Sequence, residues 1–350
     1  MTGLSLDIHL AKEIAMLEVS RRQLLIGGAA AAALPWMPSL AAAAVGPKPP
    51  ALPQPVKLTV GLAKVAHLAP VFFMKDDLTS LGVEMETADF VRYADARTAL
   101  ASGSLDISTV GPPDLPIVLS QGLTNMVALL GVGTQPKYMV IRKGVTIEKW
   151  SDLSGKRVGI APGSTVWFQF AAMLEEVGVA YNSLTPVNIQ GGGPNFLIAL
   201  RRSDIDVAII WEPFESQAVM EGIGEFNTNL DYSKSKAVGA DLGIIMATTN
   251  AVTNKREAVR RFIWAYAKAQ KDVTQTKEKF AQSISQFTGI APEVATRVAA
   301  YIDLKPELSL DQMKRQAAAF HKFGVIPKDV SGELDKYYPA DLVAAGLKGG

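Results

Sequence analysis

The residues of this chain with chemical capacity sit in a handful of turns. Ala161-Pro162-Gly163-Ser164-Thr165-Val166-Trp167 leads from an apolar run into a helical pattern. Gly163 loosens the turn, and Ser164 or Thr165 either caps the helix or presents a hydroxyl to an anion at the helix N-terminus. Gln190-Gly191-Gly192-Gly193-Pro194 is a second such turn, where Gly192 lets backbone amides face a ligand closely. Thr109-Val110-Gly111-Pro112-Pro113 offers the Thr109 hydroxyl and the amides near Gly111 to oxygen atoms. Thr134, in Gly133-Thr134-Gln135, is either a further side-chain contact or part of a plain turn. His67 is either a hydrogen-bonding ligand contact or a residue that only opens a helix, and Tyr93 is either a wall of the site or a surface aromatic. Trp211-Glu212-Pro213-Phe214 supplies an apolar wall in Trp211. Glu212 would pair with a ligand cation, with Arg92 or Lys64 across a cleft, or in a structural salt bridge.

These groups read as binding chemistry. The chain has no GxSxG, no Walker loop, no GxGxxG opening a helix and no HExxH. Cysteine is absent, which excludes a thiol nucleophile, thiolate metal sites, a disulfide framework and a lipid-bearing N-terminal Cys. With three histidines, one of them His321 on a helical surface, no metal site and no cofactor are expected.

Strands and helices alternate around the turns. Lys57–Leu62, Val83–Phe90 and Leu105–Val110 read as strands, and His67–Leu81 and Ala94–Ser102 as helices. This alternation implies parallel sheets, whose ligands lie beyond the carboxyl ends of the strands. The plan then repeats. Val158-Gly159-Ile160 follows Val60-Gly61-Leu62 by 98 residues, and Ile205-Asp206-Val207 follows Leu105-Asp106-Ile107 by 100. Two α/β lobes are therefore expected, lobe I from residues 57–142 and 244–350 and lobe II from 143–243. The segments Lys137–Arg142 and Gly243–Thr248 are read as paired hinge strands. Val259, Phe262, Ile263, Tyr266 and Ala267 recur at helical spacing and are assigned to packing on lobe I.

At 350 residues the chain has the length of two or three domains, and 48% hydrophobic with 20% charged residues is an ordinary globular mix. A net charge of +1 argues against a nucleic-acid partner. Arg21-Arg22 precedes the uncharged run Leu24–Leu34, Pro35 and Pro38 follow, and Ala41–Ala44 gives small residues for cleavage. Residues 1–44 thus resemble a twin-arginine export signal, with Met1 or Met16 as the start. Residues 45–56 read as a proline-rich, solvated linker.

Taken in order, VGLAKVAHLAPVFF, ALASGSLDISTVGPPD, DLSGKRVG leading into Pro162-Gly163-Ser164, and GGGPNFLIALRRSDIDVAIIWEPF resemble one family. They are similar to the periplasmic substrate-binding proteins of ABC importers for nitrate, sulfonates and taurine, a group that includes thiamine-precursor binders. The resemblance covers roughly Lys57 to Lys336. It implies a two-lobed periplasmic-binding-protein fold, joined by two hinge strands, that closes on a small polar, anionic solute and delivers it to a membrane permease and ATPase. It implies contacts at His67, Tyr93, Thr109, Gly111, Ser164, Thr165, Gly192, Trp211 and Glu212. A monomeric, non-enzymatic periplasmic protein is expected. The alternatives are an enzyme on the same scaffold, desulfinase- or pyrimidine-synthase-like, and a binding protein serving a sensor.

Overall fold

A computed structural model of the chain describes residues 45–349, so the export-signal segment and its alternative starts lie outside the described residues. Among the described residues ten strands form: β1 (Val56–Ala63), β2 (Val83–Phe90), β3 (Ile107–Val110), β4 (Met126–Gly131), β5 (Val140–Arg142), β6 (Arg157–Ile160), β7 (Thr185–Asn188), β8 (Val207–Ala208), β9 (Gly224–Phe226) and β10 (Ile244–Thr248). They make two five-stranded sheets, ordered β2-β1-β3-β10-β4 and β7-β6-β8-β5-β9. The repeat in the sequence is thus a repeat of sheet plan.

The repeated aspartate has a physical role. Asp106 Oδ2 accepts the Thr59 backbone N–H at 2.9 Å, and the Asp106 N–H donates to Thr59 O at 3.0 Å. Asp206 does the same with Arg157, at 3.0 and 2.8 Å. Each side chain locks the third strand of its lobe to the first. The cations differ: Lys255 reaches Asp106, while Arg142 and Arg157 both reach Asp206. The Arg157 hydrogen bonds hold the Asp206 carboxyl well below the usual carboxylate range.

Three expectations are corrected. The sheets are mixed, not parallel: β10 runs antiparallel to β3 and β4, and β5 antiparallel to β8 and β9. The parallel strands run toward the cleft, whereas β5 and β10 each arrive from the other lobe and so run away from it. For the same reason β5 belongs to the second sheet, and lobe I does not extend to residue 142. The segments that cross and pair lie just before these strands. Gln135 N–H donates to Ala240 O at 3.1 Å and Leu242 N–H to Gly133 O at 2.9 Å.

Residues 45–55 carry no helix or strand and are mostly exposed, but they are a strap pinned to the first lobe and not a free linker. Arg261, buried on helix Arg256–Val273, donates from Nε and a terminal nitrogen to Pro50 O at 3.0 and 2.8 Å. Trp264 Nε1 donates to Gly46 O at 2.9 Å, and Leu52 N–H to Leu81 O at 2.9 Å. A guanidinium that leaves water needs acceptors, and this strap supplies them.

The same helix buries Val259, Phe262, Ile263 and Tyr266 in the core under the first sheet. The expected helix His67–Leu81 is divided into a 3-10 turn Ala66–Leu68 and helices Ala69–Phe73 and Lys75–Ser80. His321 lies exposed on helix Leu310–Lys322. That helix contributes Phe320 to a cluster with Ile117 of lobe I and Phe168 and Met173 of lobe II, so the C-terminal region ties both lobes. Among the described residues, no helix is long and apolar enough to cross a membrane.

Candidate functional site

The turns after the parallel strands of both lobes meet around a narrow cavity of about 60 Å³. Lobe I supplies His67, Arg92 and Tyr93, and lobe II supplies Ser164, Thr165, Gln169, Trp211, Glu212 and Glu215. Gln135 and Lys137 enter from one crossing segment, Tyr232 and Leu242 from the other.

Helix Thr165–Glu176 points its N-terminus at this space. Ser164 is its N-cap, its Oγ accepting the Trp167 N–H at 3.3 Å. The amides of Thr165 and Val166 have no acceptor within the helix, as is general for a first turn. Thr165 and Gln169 are four residues apart, so they share the face that lines the cavity.

The defining feature is unsatisfied polarity. His67 Nδ1, Gln135 Oε1, Thr165 Oγ1 and both polar atoms of Gln169 are buried without a hydrogen-bond partner. All four residues line this one cavity. Native proteins rarely bury such atoms without a reason. Here donors and acceptors from both lobes and a crossing segment converge, which suits a polar molecule held between them.

The ionisable groups are perturbed by the same burial. Desolvation, with the charge of Lys137, lowers His67 to about 3, so its ring is neutral at pH 7. His67 Nε2 is 2.6 Å from the Tyr93 hydroxyl, whose pKa burial raises, so the phenol keeps its proton. Desolvation lowers Lys137 to about 7 despite nearby Asp241, Asp231 and Glu215. Its Nζ donates to Gly239 O at 2.7 Å and Asp241 O at 2.8 Å, pinning one crossing segment to the other. Burial raises Glu212 to about 7 and Glu215 well above the ordinary range. Glu212 also caps helix Phe214–Met220, accepting Ser216 N–H at 3.0 Å and Ser216 Oγ–H at 2.7 Å.

Of the residues singled out from the sequence, His67, Tyr93, Ser164, Thr165, Trp211 and Glu212 line the cavity. Thr109, Gly111, Thr134 and Gly192 do not. The Thr109 hydroxyl bonds Gly61 O at 3.3 Å inside the first sheet. The Gly111 N–H is taken by Asp114 Oδ2 at 2.6 Å, and Thr134 bridges Asp241 and Asp303 through backbone. Gly111 and Gly192 are instead where the lobes touch. A methyl at Gly111 would overlap Thr165, and one at Gly192 would come within 2.7 Å of Val91 Cγ1. Glu212 meets neither Arg92 nor Lys64, which pair with Asp95 and Asp89. Sequence reasoning missed Gln135, Lys137, Gln169 and Glu215.

A family model described as the NMT1-like family matches residues 51–288. The taurine-binding periplasmic protein of Escherichia coli (strain K12) is 33% identical over 153 residues, covering 43% of this chain and 45% of that protein. The chain thus spans about half the length of this curated relative. The alkanesulfonate-binding protein SsuA from Xanthomonas axonopodis pv. citri bound to MOPS superposes with a TM-score of 0.69 at 18% identity, over 82% of this chain and 99% of that one. The periplasmic nitrate-binding protein NrtA from Synechocystis PCC 6803 gives 0.69 at 14% identity, over 86% of this chain and 90% of that one. At such identities these structures show a common fold.

Proposed function

The chain belongs to the NMT1-like family, and from that premise we propose that it is the periplasmic solute-binding component of an ABC importer. It takes a small polar solute with an anionic head group, of the nitrate, sulfonate or taurine class named for its relatives, and delivers it unchanged to a membrane permease and ATPase. Export by the twin-arginine route, through Arg21-Arg22 and the run after it, is part of this reading.

The observation that carries it is the convergence of unpartnered donors and acceptors from both lobes on one interlobe cavity. The anionic group is assigned to the Thr165 hydroxyl, the first amides of its helix and the His67 ring, a neutral cradle aided by the helix dipole. A solute touching both lobes binds the closed state better than the open one, and so draws the equilibrium toward closure. Ser164 is engaged as an N-cap, which supports holding a solute over attacking one. Tyr93, Gln135, Trp211 and Glu212 complete the contact set.

Isothermal titration and small-angle scattering against nitrate, ethanesulfonate and 2-aminoethanesulfonate test the proposal. Heat together with compaction for at least one solute is expected. No heat with any of them would refute the anionic-solute reading.

A further inference from the structure

We propose that Tyr93 is a positioning residue for solute binding: its phenol donates to His67 Nε2 and so keeps the ring proton on Nδ1, which makes His67 a donor to the solute and not an acceptor. This rests on the solute-binding reading above and deepens it, by naming what fixes the polarity of one contact.

The two side chains share one hydrogen bond. His67 is 4% exposed, and its Nε2 lies 2.6 Å from the Tyr93 hydroxyl. Burial keeps the ring neutral and the phenol protonated at pH 7. A neutral imidazole carries its N–H on one nitrogen and a lone pair on the other. Two arrangements therefore fit the distance. In one the phenol donates to Nε2 and the ring N–H is at Nδ1. In the other the ring donates from Nε2 to the phenol oxygen and Nδ1 holds the lone pair.

They differ in what they leave unpaired. Nδ1 is buried without a partner in both. The Tyr93 hydroxyl has no hydrogen-bond partner among the described residues other than Nε2. The Tyr266 hydroxyl is instead bonded by Gln270 Nε2 at 3.1 Å. The backbone at Gly243 closes over the Tyr93 hydroxyl, since a methyl there would lie 3.0 Å from it. With the phenol as donor, one buried group lacks a partner, the Nδ1–H. With the ring as donor there are two, the phenol O–H and the Nδ1 lone pair. A buried polar group left unmatched bears the full loss of its hydration, so the first arrangement is favoured. Imidazole is also the more basic acceptor and phenol the more acidic donor, which acts in the same direction.

The consequence lies in the choice of solute group. His67 lines the interlobe cavity, as do Gln135 and Gln169. A carboxamide presents its NH₂ or its oxygen by rotating half a turn, so neither glutamine commits the site to a donor or an acceptor. An imidazole held by Tyr93 does commit it, because moving the ring proton to Nε2 would strand the phenol O–H. His67 therefore selects a solute oxygen over a solute N–H at its position.

The experiment is proton–nitrogen correlation NMR through two bonds, on the chain with isotopically labelled histidine, at pH 7 and without solute. The chain has three histidines, and His67→Gln identifies the His67 signals. Wild type is expected to show a protonated Nδ1 and an unprotonated Nε2, with the bridging proton coupled to Nε2 only weakly, through the hydrogen bond. A full one-bond coupling from that proton to Nε2 would place it on the ring and overturn the proposal, whether or not any variant folds. Tyr93→Phe should move the ring toward the Nε2–H form that a free imidazole side chain prefers. With the Nδ1–H form down to about one fifth, Kd for ethanesulfonate should rise about fivefold by calorimetry. A ring that stays Nδ1–H in Tyr93→Phe would overturn the role of Tyr93, since a merely structural phenol leaves the tautomer alone. A changed tautomer with an unchanged Kd would overturn the contact between Nδ1 and the solute. These results leave solute binding itself intact, whereas no heat from ethanesulfonate, nitrate or 2-aminoethanesulfonate removes the solute-binding reading and the selection drawn from it.

Discussion

Replacing Gly111 with alanine should weaken solute binding without touching the solute. Gly111 is outside the cavity lining, and its backbone is not in the left-handed region, so alanine adopts the same conformation. Its N–H bond to Asp114 is kept. The new methyl carbon, however, would overlap Thr165 Oγ1 and lie 2.7 Å from both Thr165 Cβ and Cγ2 across the interlobe contact. Carbon atoms pack at about 3.5–4.0 Å, so the lobes must part by about 1 Å at this point. Overpacking of this kind costs about 1–3 kcal/mol. The cost falls on the closed state alone, because the methyl faces water once the lobes separate. Apparent affinity drops by the same factor as the closed fraction, which corresponds to a Kd raised about 5- to 150-fold. Titration with the tightest member of the solute panel gives the affinity, scattering gives the compaction, and thermal unfolding of the unliganded protein gives the control. Wild-type affinity and compaction in Gly111→Ala would show that the lobes do not close through this contact.

Thr165→Val should separate binding from stability. It removes a buried hydroxyl that has no partner, so the unliganded melting temperature should hold or rise, while affinity for the solute's anionic end falls about tenfold, one hydrogen bond to a charged group. Asp206→Asn should cost about 2–3 kcal/mol at pH 7, read from the denaturant midpoint, because it weakens charge-assisted bonds to Arg142 and Arg157. The Asp206 pKa is depressed in the folded state, so its stabilisation is present above about pH 4 and lost as pH falls below that. The variant should accordingly show a flatter acid limb between pH 4 and 2. His67 gives a second window: its folded pKa of about 3 lies below the ordinary 6.5, so the unfolded chain takes up the proton first. Stability should fall by about 1.4 kcal/mol per pH unit between pH 6 and pH 3 on this account, and His67→Gln should remove that slope.

Much of the scaffold was legible because it is local and repeated. The strand at Val83–Phe90 and the aspartates at 106 and 206 follow from patterns a few residues long, and Asp-to-strand locking explains why those two positions recur at one spacing. Strands that enter a sheet from the other lobe were misread, since Val140–Arg142 looks the same whichever sheet it joins. The strap at residues 45–55 was missed because what holds it, Arg261 and Trp264, lies over 200 residues away in the chain. In the site, hydroxyl- and glycine-bearing turns drew attention, but turn composition cannot tell a ligand contact from a lobe contact, as Gly111 and Gly192 demonstrate. Gln169 had a usable signal, since it sits four residues after Thr165 on the same helical face, and Glu215 lies three residues after Glu212, in the first turn of the helix that Glu212 precedes. Lys137 had none, since nothing nearby in sequence marks a lysine whose partners are the carbonyls of Gly239 and Asp241.

The central claim is that one solute is gripped by both lobes at once, and amide hydrogen exchange with and without 2-aminoethanesulfonate probes it most directly. The account predicts simultaneous protection of the turns around 65–67, 135–137, 164–169 and 211–216 on addition of the solute. Protection confined to one lobe, or binding heat with no change at any of these turns, would contradict it.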